Sequence, residues 1–171
     1  EIATIVINKV MDFIFERQRS LYLDEGITNN IFDAVRMREQ PITRPLDFTK
    51  RLNAVKYFQA LDEAQILSAA HKRVKNILAS AEKLPEKIEI NQKLLKETAE
   101  IELATKVLKM TDVVKKYCAA AQYQEALQEL ATLKDSVDYF FNTVMVMVDD
   151  KKLRNNRLAL LKEMQKLFYS V

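Results

Sequence analysis

An all-α fold, a helical bundle of about six to seven helices, is what this sequence predicts. Two observations carry the prediction. The 171 residues contain one glycine and three prolines; average usage would give roughly a dozen and eight or nine. Sandwiches, barrels and dinucleotide-binding folds need many positive-φ turns, hence many glycines, and are excluded on that ground. Apolar residues also recur at three- and four-residue spacing along almost the whole chain.

The first helix is read from about Ile2 to Leu23, with Ile2, Ile5, Val6, Val10, Phe13, Ile14 and Leu21 as its stripe. Asp24-Glu25-Gly26 closes it, since glycine accepts the left-handed C-terminal position. Thr28 or Asn29 caps a short second helix carrying Ile31, Phe32 and Val35. The segment Gln40 to Pro45 interrupts the pattern, and Pro45 suits the first turn of a third helix reaching about Ala60. Asp62 opens a fourth, with Ile66, Leu67, Ala70, Val74, Ile77, Leu78 and Ala81 on one face. Glu82 to Asn91, with Pro85, reads as a solvated loop. A fifth helix is expected over about Asn91 to Tyr117. A sixth is drawn as one continuous stripe through Ala126, Leu130, Leu133, Val137, Phe140, Val144 and Met147. Asp149-Asp150 ends it and caps a seventh with Leu158, Leu161, Met164, Leu167 and Phe168. No fixed period repeats, so a solenoid is not indicated. The division expected is a helical N-terminal subregion, 1–61, leading into a bundle, 62–171.

Composition narrows the chemistry. One cysteine, Cys118, and one histidine, His71, exclude internal disulfides, thiolate clusters and two-histidine metal sites. One glycine excludes GxGxxG and P-loop cradles. No acid or nucleophile in the sequence forms a triad with His71, which is read as a surface or partly buried residue, and Cys118 as a packed thiol. Glu100 and Glu102 are read as capping and surface charge, Met145, Met147 and Met164 as core. No membrane span or signal peptide is visible, and the lone thiol fits a cytoplasmic location. The chain opens inside a helical pattern, so a piece of a longer protein is expected.

Net charge is only +3, but it is uneven. Residues 1–80 hold 12 basic and 10 acidic side chains, 81–150 hold 9 and 13, and 151–171 hold 6 and 1. Seven of the nine arginines lie before residue 74, and the others are Arg154 and Arg157. Arginine suits planar contact with phosphates and bases, so an RNA-binding face would use those segments. Phe13, Phe15, Tyr22, Tyr139, Phe140 and Phe141 are assigned mainly to core; Tyr57, Phe58 and Tyr123 are the better base-stacking candidates. A solvated helical face, or a helical protein-interaction module, accounts for the same pattern.

Ala70-His71-Lys72-Arg73-Val74-Lys75-Asn76-Ile77-Leu78 resembles the Ala-x-x-Arg-(Val/Ile)-x-x-Ile-Leu stretch of the DALR-type anticodon-binding domain. That helical domain closes arginyl-tRNA synthetases and glycyl-tRNA synthetase β subunits. Tyr123-Gln124-Glu125-Ala126-Leu127 and Asp138 to Met147 are similar too, as is Leu153-Arg154-Asn155-Asn156-Arg157-Leu158-Ala159-Leu160-Leu161. Phe13 to Arg19, Gly26-Ile27, Asp33-Ala34-Val35 and Arg44-Pro45-Leu46-Asp47-Phe48 resemble the β subunits in particular. The family breaks its helix near 117–123, where this alanine-rich stretch offers no breaker. The resemblance implies a non-catalytic module without a cofactor of its own. It would grip the anticodon arm of glycine tRNA, whose anticodons share two cytosines. Its partners would be the rest of a β subunit and the α subunit of an α2β2 synthetase, where ATP and magnesium act. An arginyl-type domain would change the tRNA and not the class. The residues favoured for RNA contact are Lys72, Arg73, Lys75 and Asn76. Arg36, Arg38, Arg44 and Tyr57 follow, then Arg154 and Arg157, for which closing the last helices by ion pairs is the alternative.

Overall fold

The computed structural model describes residues 2–36, 44–81 and 89–171, with side chains from Ile5 onward. Arg38, the proline-bearing stretch before Arg44 and most of the loop expected over 82–91 lie outside these residues. The described chain is all α, with eight helices against the six to seven expected and no strand.

Helix α1 spans Ile2–Asp24. Gly26, at φ +80°, ends it in a Schellman motif: Ile27 N–H donates to Tyr22 O and Gly26 N–H to Leu23 O, both at 2.9 Å. Helix α2, Asn29–Arg36, is capped by the Thr28 hydroxyl, which accepts from Ile31 N–H at 3.3 Å. Pro45 starts α3, Pro45–Gln59. These three helices enclose a small core of Phe15, Ile27, Ile31, Phe32, Val35, Phe48 and Leu52. Its rings pack tilted or edge-on, Phe15 and Phe48 with centroids 4.4 Å apart.

The stripe expected to bury α1 is the wrong face. Val6, Val10, Phe13 and Leu21 are each more than half exposed, and Phe15 is the residue that enters the core. Phe15 lies about half a turn from Phe13 on a 3.6-residue helix. Hydrophobic spacing marks an apolar face but does not say which of two such faces meets this bundle.

The larger core joins α4 (Asp62–Ser80), α5 (Thr98–Ala119), α6 (Tyr123–Ala131), α7 (Lys134–Thr143) and α8 (Lys151–Tyr169). Helix α3 reaches it through Ala54 and packs along α6. There Tyr123 donates to Asp47, and the Arg51 guanidinium lies 3.8 Å over its ring while bonding Asp47 at 3.0 Å. Tyr123 is 4% exposed, so it is a packing residue and not a stacking platform. Burial and the Asp47 bond push its phenol up to about 12.

Two further expectations are corrected. The fifth helix starts at Thr98, after a 3-10 turn at Gln92–Leu94, because Glu97 and Glu100 form a capping box there. The single stripe drawn from Ala126 to Met147 is two helices and an irregular segment. Thr132 and Leu133 N–H groups bond back only three residues, to Glu129 and Leu130, and the Thr132 hydroxyl takes the Glu129 carbonyl at 2.7 Å. No glycine or proline marks that bend. The break near 117–123, implied only by family resemblance, is present. Ala121 stands at φ +54°, with Gln122 N–H on Tyr117 O and Ala121 N–H on Cys118 O. This is the motif of Gly26 repeated with a Cβ in place. Among the described residues no helix is long and apolar enough to cross a membrane.

Candidate nucleic-acid interface

Helix α8 organises the region that follows α7. Asp150 accepts from Lys152 and Leu153 N–H at 2.9 and 3.2 Å, capping α8; these bonds hold its carboxyl below the usual range. From the first turns of α8, Arg154 donates to Val148 O at 3.0 Å and Arg157 to Met145 O at 2.6 Å. Arg157 also pairs with Glu100, and both are buried. The second oxygen of Glu100 accepts from Lys96 and Glu97 N–H at 2.8 and 2.9 Å. Asn156 exchanges two bonds with the Asn91 backbone. Segment 144–148 is therefore pinned from beneath at two carbonyls.

Pinned in this way, the segment bends at Val146 and Met147, where Val148 N–H donates to Val146 O at 3.1 Å, and its side chains alternate. Val144 and Val146 are buried at 5% and 6%, whereas Met145 and Met147 are 72% and 47% exposed. The expectation that these methionines are core is corrected: burial here alternates with a period of two and not at helical spacing. Glu100 is likewise a capping residue, as read, but wholly buried.

Between this segment and α4 lies a cleft of about 400 Å3. Arg73 and Ile77 line one side; Phe141, Asn142, Val144, Met145 and their neighbours through Met147 line the other. The volume falls within the range of ~300–1,000 Å3 typical of small-ligand sites. The Arg73 guanidinium carbon sits 4.5 Å over the Phe141 ring, and no carboxylate pairs with it among the described residues. Apolar walls beside a planar cation can hold a flat aromatic ring by its face and its acceptor edges by the guanidinium. No group of three His, Cys, Asp or Glu side chains among the described residues could hold a metal ion.

The favoured residues separate. Of Lys72, Arg73, Lys75 and Asn76, all exposed, only Arg73 lines the cleft. Asn76 is about one turn on from it and not in the lining, and Lys75 neighbours His71. Arg36 is bound by Asp12 and lies 5.3 Å over Phe15, joining α1 to α2. Arg44 is exposed at the start of α3. Tyr57 is 41% exposed and accepts from Gln128 at 3.3 Å. Arg38 lies outside the described residues. Arg157 pairs with an acid, whereas Arg154 grips a carbonyl. Residues that sequence reasoning did not select are Phe141, Asn142, Met145 and Met147. The available signal was the Val-x-Val alternation just before the Asp149-Asp150 cap.

His71 sits against Phe168 and Tyr169, with centroids at 5.7 and 5.1 Å, and its buried Nδ1 has no hydrogen-bond partner among the described residues. Burial, then the Lys75 charge, lowers its pKa. Cys118 donates to Ser170 O at 3.5 Å.

Residues 67–170 match the family described as the DALR anticodon binding domain, a stretch that includes the cleft and all of α5 to α8. Over 166 residues, 97% of this chain, the sequence is 46% identical to the glycine–tRNA ligase beta subunit of Escherichia coli O139:H28 (strain E24377A / ETEC). The proteins of that name in Shigella boydii serotype 18 and Escherichia fergusonii show the same identity and coverage. The chain spans 24% of the length of these relatives. With a helical bundle, the motif helix and the closing Arg-Asn-Asn-Arg turn all in place, the chain belongs to the DALR anticodon-binding domain family.

Proposed function

We propose that this chain recognises the anticodon arm of glycine tRNA as the non-catalytic module of a glycine–tRNA ligase β subunit, and that its Arg73 cleft receives an unstacked anticodon base. The observation that carries the reading is the Arg73 guanidinium, without a carboxylate partner among the described residues, held over Phe141 in the lining of a mostly apolar cleft. Anticodon loops offer unstacked bases, which proteins bind by stacking and by hydrogen bonds to their edges. Cytosine has O2 and N3 as acceptors for a guanidinium and N4–H2 as a donor to an amide or main-chain oxygen. Arg73 supplies the first and Asn142 can supply the second. Lys72, Lys75, Asn76 and Arg44, exposed and outside the cleft, would meet phosphates and set orientation. Identity to glycine–tRNA ligases favours glycine tRNA over arginine tRNA. The rest of the β subunit and an α subunit in an α2β2 enzyme would complete the synthetase; ATP and magnesium would act in the α subunit.

The test is binding to glycine tRNA and to a variant with both anticodon cytosines replaced, each at two salt concentrations. Salt-sensitive binding that falls with the variant supports an anticodon reader. Salt-sensitive binding indifferent to the variant leaves a clamp on the tRNA backbone and refutes base reading. If the isolated chain binds neither tRNA, the measurement is repeated with the assembled synthetase.

A further inference from the structure

Helix α1 carries two apolar faces, and the bundle covers one. Phe15 is fully buried, with Met11 and Tyr22 packed beside it against α2 and α3. On the opposite side Val6, Val10, Phe13 and Leu21 follow at spacings of four, three and eight residues, and Ile7 flanks them. Each of these five is more than half exposed, Phe13 and Leu21 at 62%. Arg17 sits in the same row, 5.7 Å over Phe13, which broadens the face without charging its centre. A helix apolar on both sides is normally buried on both. Five large side chains this exposed present roughly 400 Å2, about the largest apolar patch a monomer carries and commonly an interaction site.

The structure assigns this outer face of α1 as the surface on which the module seats against another part of its own β subunit. The occupant follows from lengths. The family relatives match 97% of this chain, α1 included, yet the match covers 24% of their length, so some three-quarters of such a subunit lies elsewhere in the polypeptide. A covering segment in the same chain is always present and costs little entropy of association, unlike a separate partner. Nothing in the described bundle reaches the face: the five side chains belong to neither of its two cores. The segment that covers it should offer apolar side chains at helical or strand spacing with few charges at the centre of the contact. The inference rests on the proposed place of this chain in a glycine–tRNA ligase β subunit and not on its RNA contacts, and its test contains no RNA.

The experiment uses a full-length glycine–tRNA ligase β subunit containing this chain. Single cysteines replace Val10, Phe13 or, as an exposed control on α5, Lys109. Maleimide labelling rates are read at each site by peptide mass, which also separates the native Cys118. A covered face predicts labelling at positions 10 and 13 at least tenfold slower than at 109, unchanged on dilution. Rates within a factor of two of the control would overturn the proposal. Protection that is lost on dilution would overturn it as well, because the occupant would then be a second subunit. Melting temperatures equal to wild type for all three variants show that the rates refer to the folded protein. If V10C or F13C lowers it, hydrogen exchange of α1 amides in the wild-type subunit decides instead. Full protection at the N-terminal turns supports the seat, and rapid exchange there refutes it.

Discussion

Replacing Arg157 with methionine isolates the device that shapes the cleft. Methionine keeps most of the aliphatic volume and removes the guanidinium. Glu100, wholly buried, then loses its ion-pair partner, and Met145 O loses a 2.6 Å donor. Breaking one side of a buried ion pair costs ~3–5 kcal/mol, because the remaining charge is stranded away from water. Two backbone N–H bonds, from Lys96 and Glu97, remain on Glu100 and moderate that cost. For a domain of this size the loss corresponds to ~6–20 °C in melting temperature, at ~2–4 °C per kcal/mol. Thermal unfolding followed by circular dichroism at neutral pH measures it. Arg157→Met combined with Glu100→Gln should recover more than half of the loss. A neutral amide oxygen still accepts from Lys96 and Glu97, and no buried charge is left. A single variant within 1 kcal/mol of wild type, or a double variant no better than the single, would refute the account of 144–148 as a segment clamped by a buried pair.

Gly26 and Ala121 occupy the same left-handed position in two Schellman motifs, so reciprocal exchanges should act with opposite sign. Gly26→Ala places a Cβ at φ +80° and should cost ~1–2 kcal/mol, mainly from backbone strain, since its nearest contact is the movable Lys56 Nζ at 3.0 Å. Ala121→Gly relieves similar strain and, after the greater entropy of an unfolded glycine, should gain about 0.5 kcal/mol. Urea denaturation reads both. His71 should make stability fall with acid. Its pKa is lowered in the fold, so the unfolded chain takes the proton first, and the contribution of the neutral ring is complete above its ordinary value of 6.5 and declines as pH falls below it. His71→Gln should flatten the melting temperature between pH 7.5 and 5.5. A slope equal to wild type would show that the buried ring does not set it. Asp150 and Glu102, with lowered pKa values, act in a lower window, below the carboxylates' ordinary values.

What the sequence discloses here depends on the range of the forces involved. Helices α2, α3, α4 and α8 are legible because Thr28, Pro45 and Asp150 act locally and their apolar spacing is regular. The break at Ala121 is not, because αL alanine is selected by packing and not by its own preference. The outward face of α1 misleads for a related reason: apolar spacing marks a face, and the described residues of this bundle bury only the other one. At the candidate interface, Arg73 is visible as an arginine in a motif, yet its distinction from Lys72 and Lys75 needs the ring of Phe141, 68 residues on. Arg36 and Arg157 carry the same charge, but Asp12 and Glu100 claim them, and only the fold brings those acids close. Met145 and Met147 were missed because a period of two interrupts a helix without a glycine or proline to announce it.

The central claim, that Arg73 reads an anticodon base, is tested most directly by a double-mutant cycle on tRNA affinity. Wild type and Arg73→Ala are each measured with glycine tRNA and with the cytosine-replaced tRNA, at one fixed salt concentration. A contact to a base edge of this kind is worth ~1–3 kcal/mol. Arg73→Ala should therefore weaken the native tRNA about 5- to 150-fold and the replaced tRNA far less, leaving a coupling of at least 1 kcal/mol. Equal weakening of both tRNAs would place Arg73 on the phosphate backbone, and no weakening of either would remove the cleft from the interface.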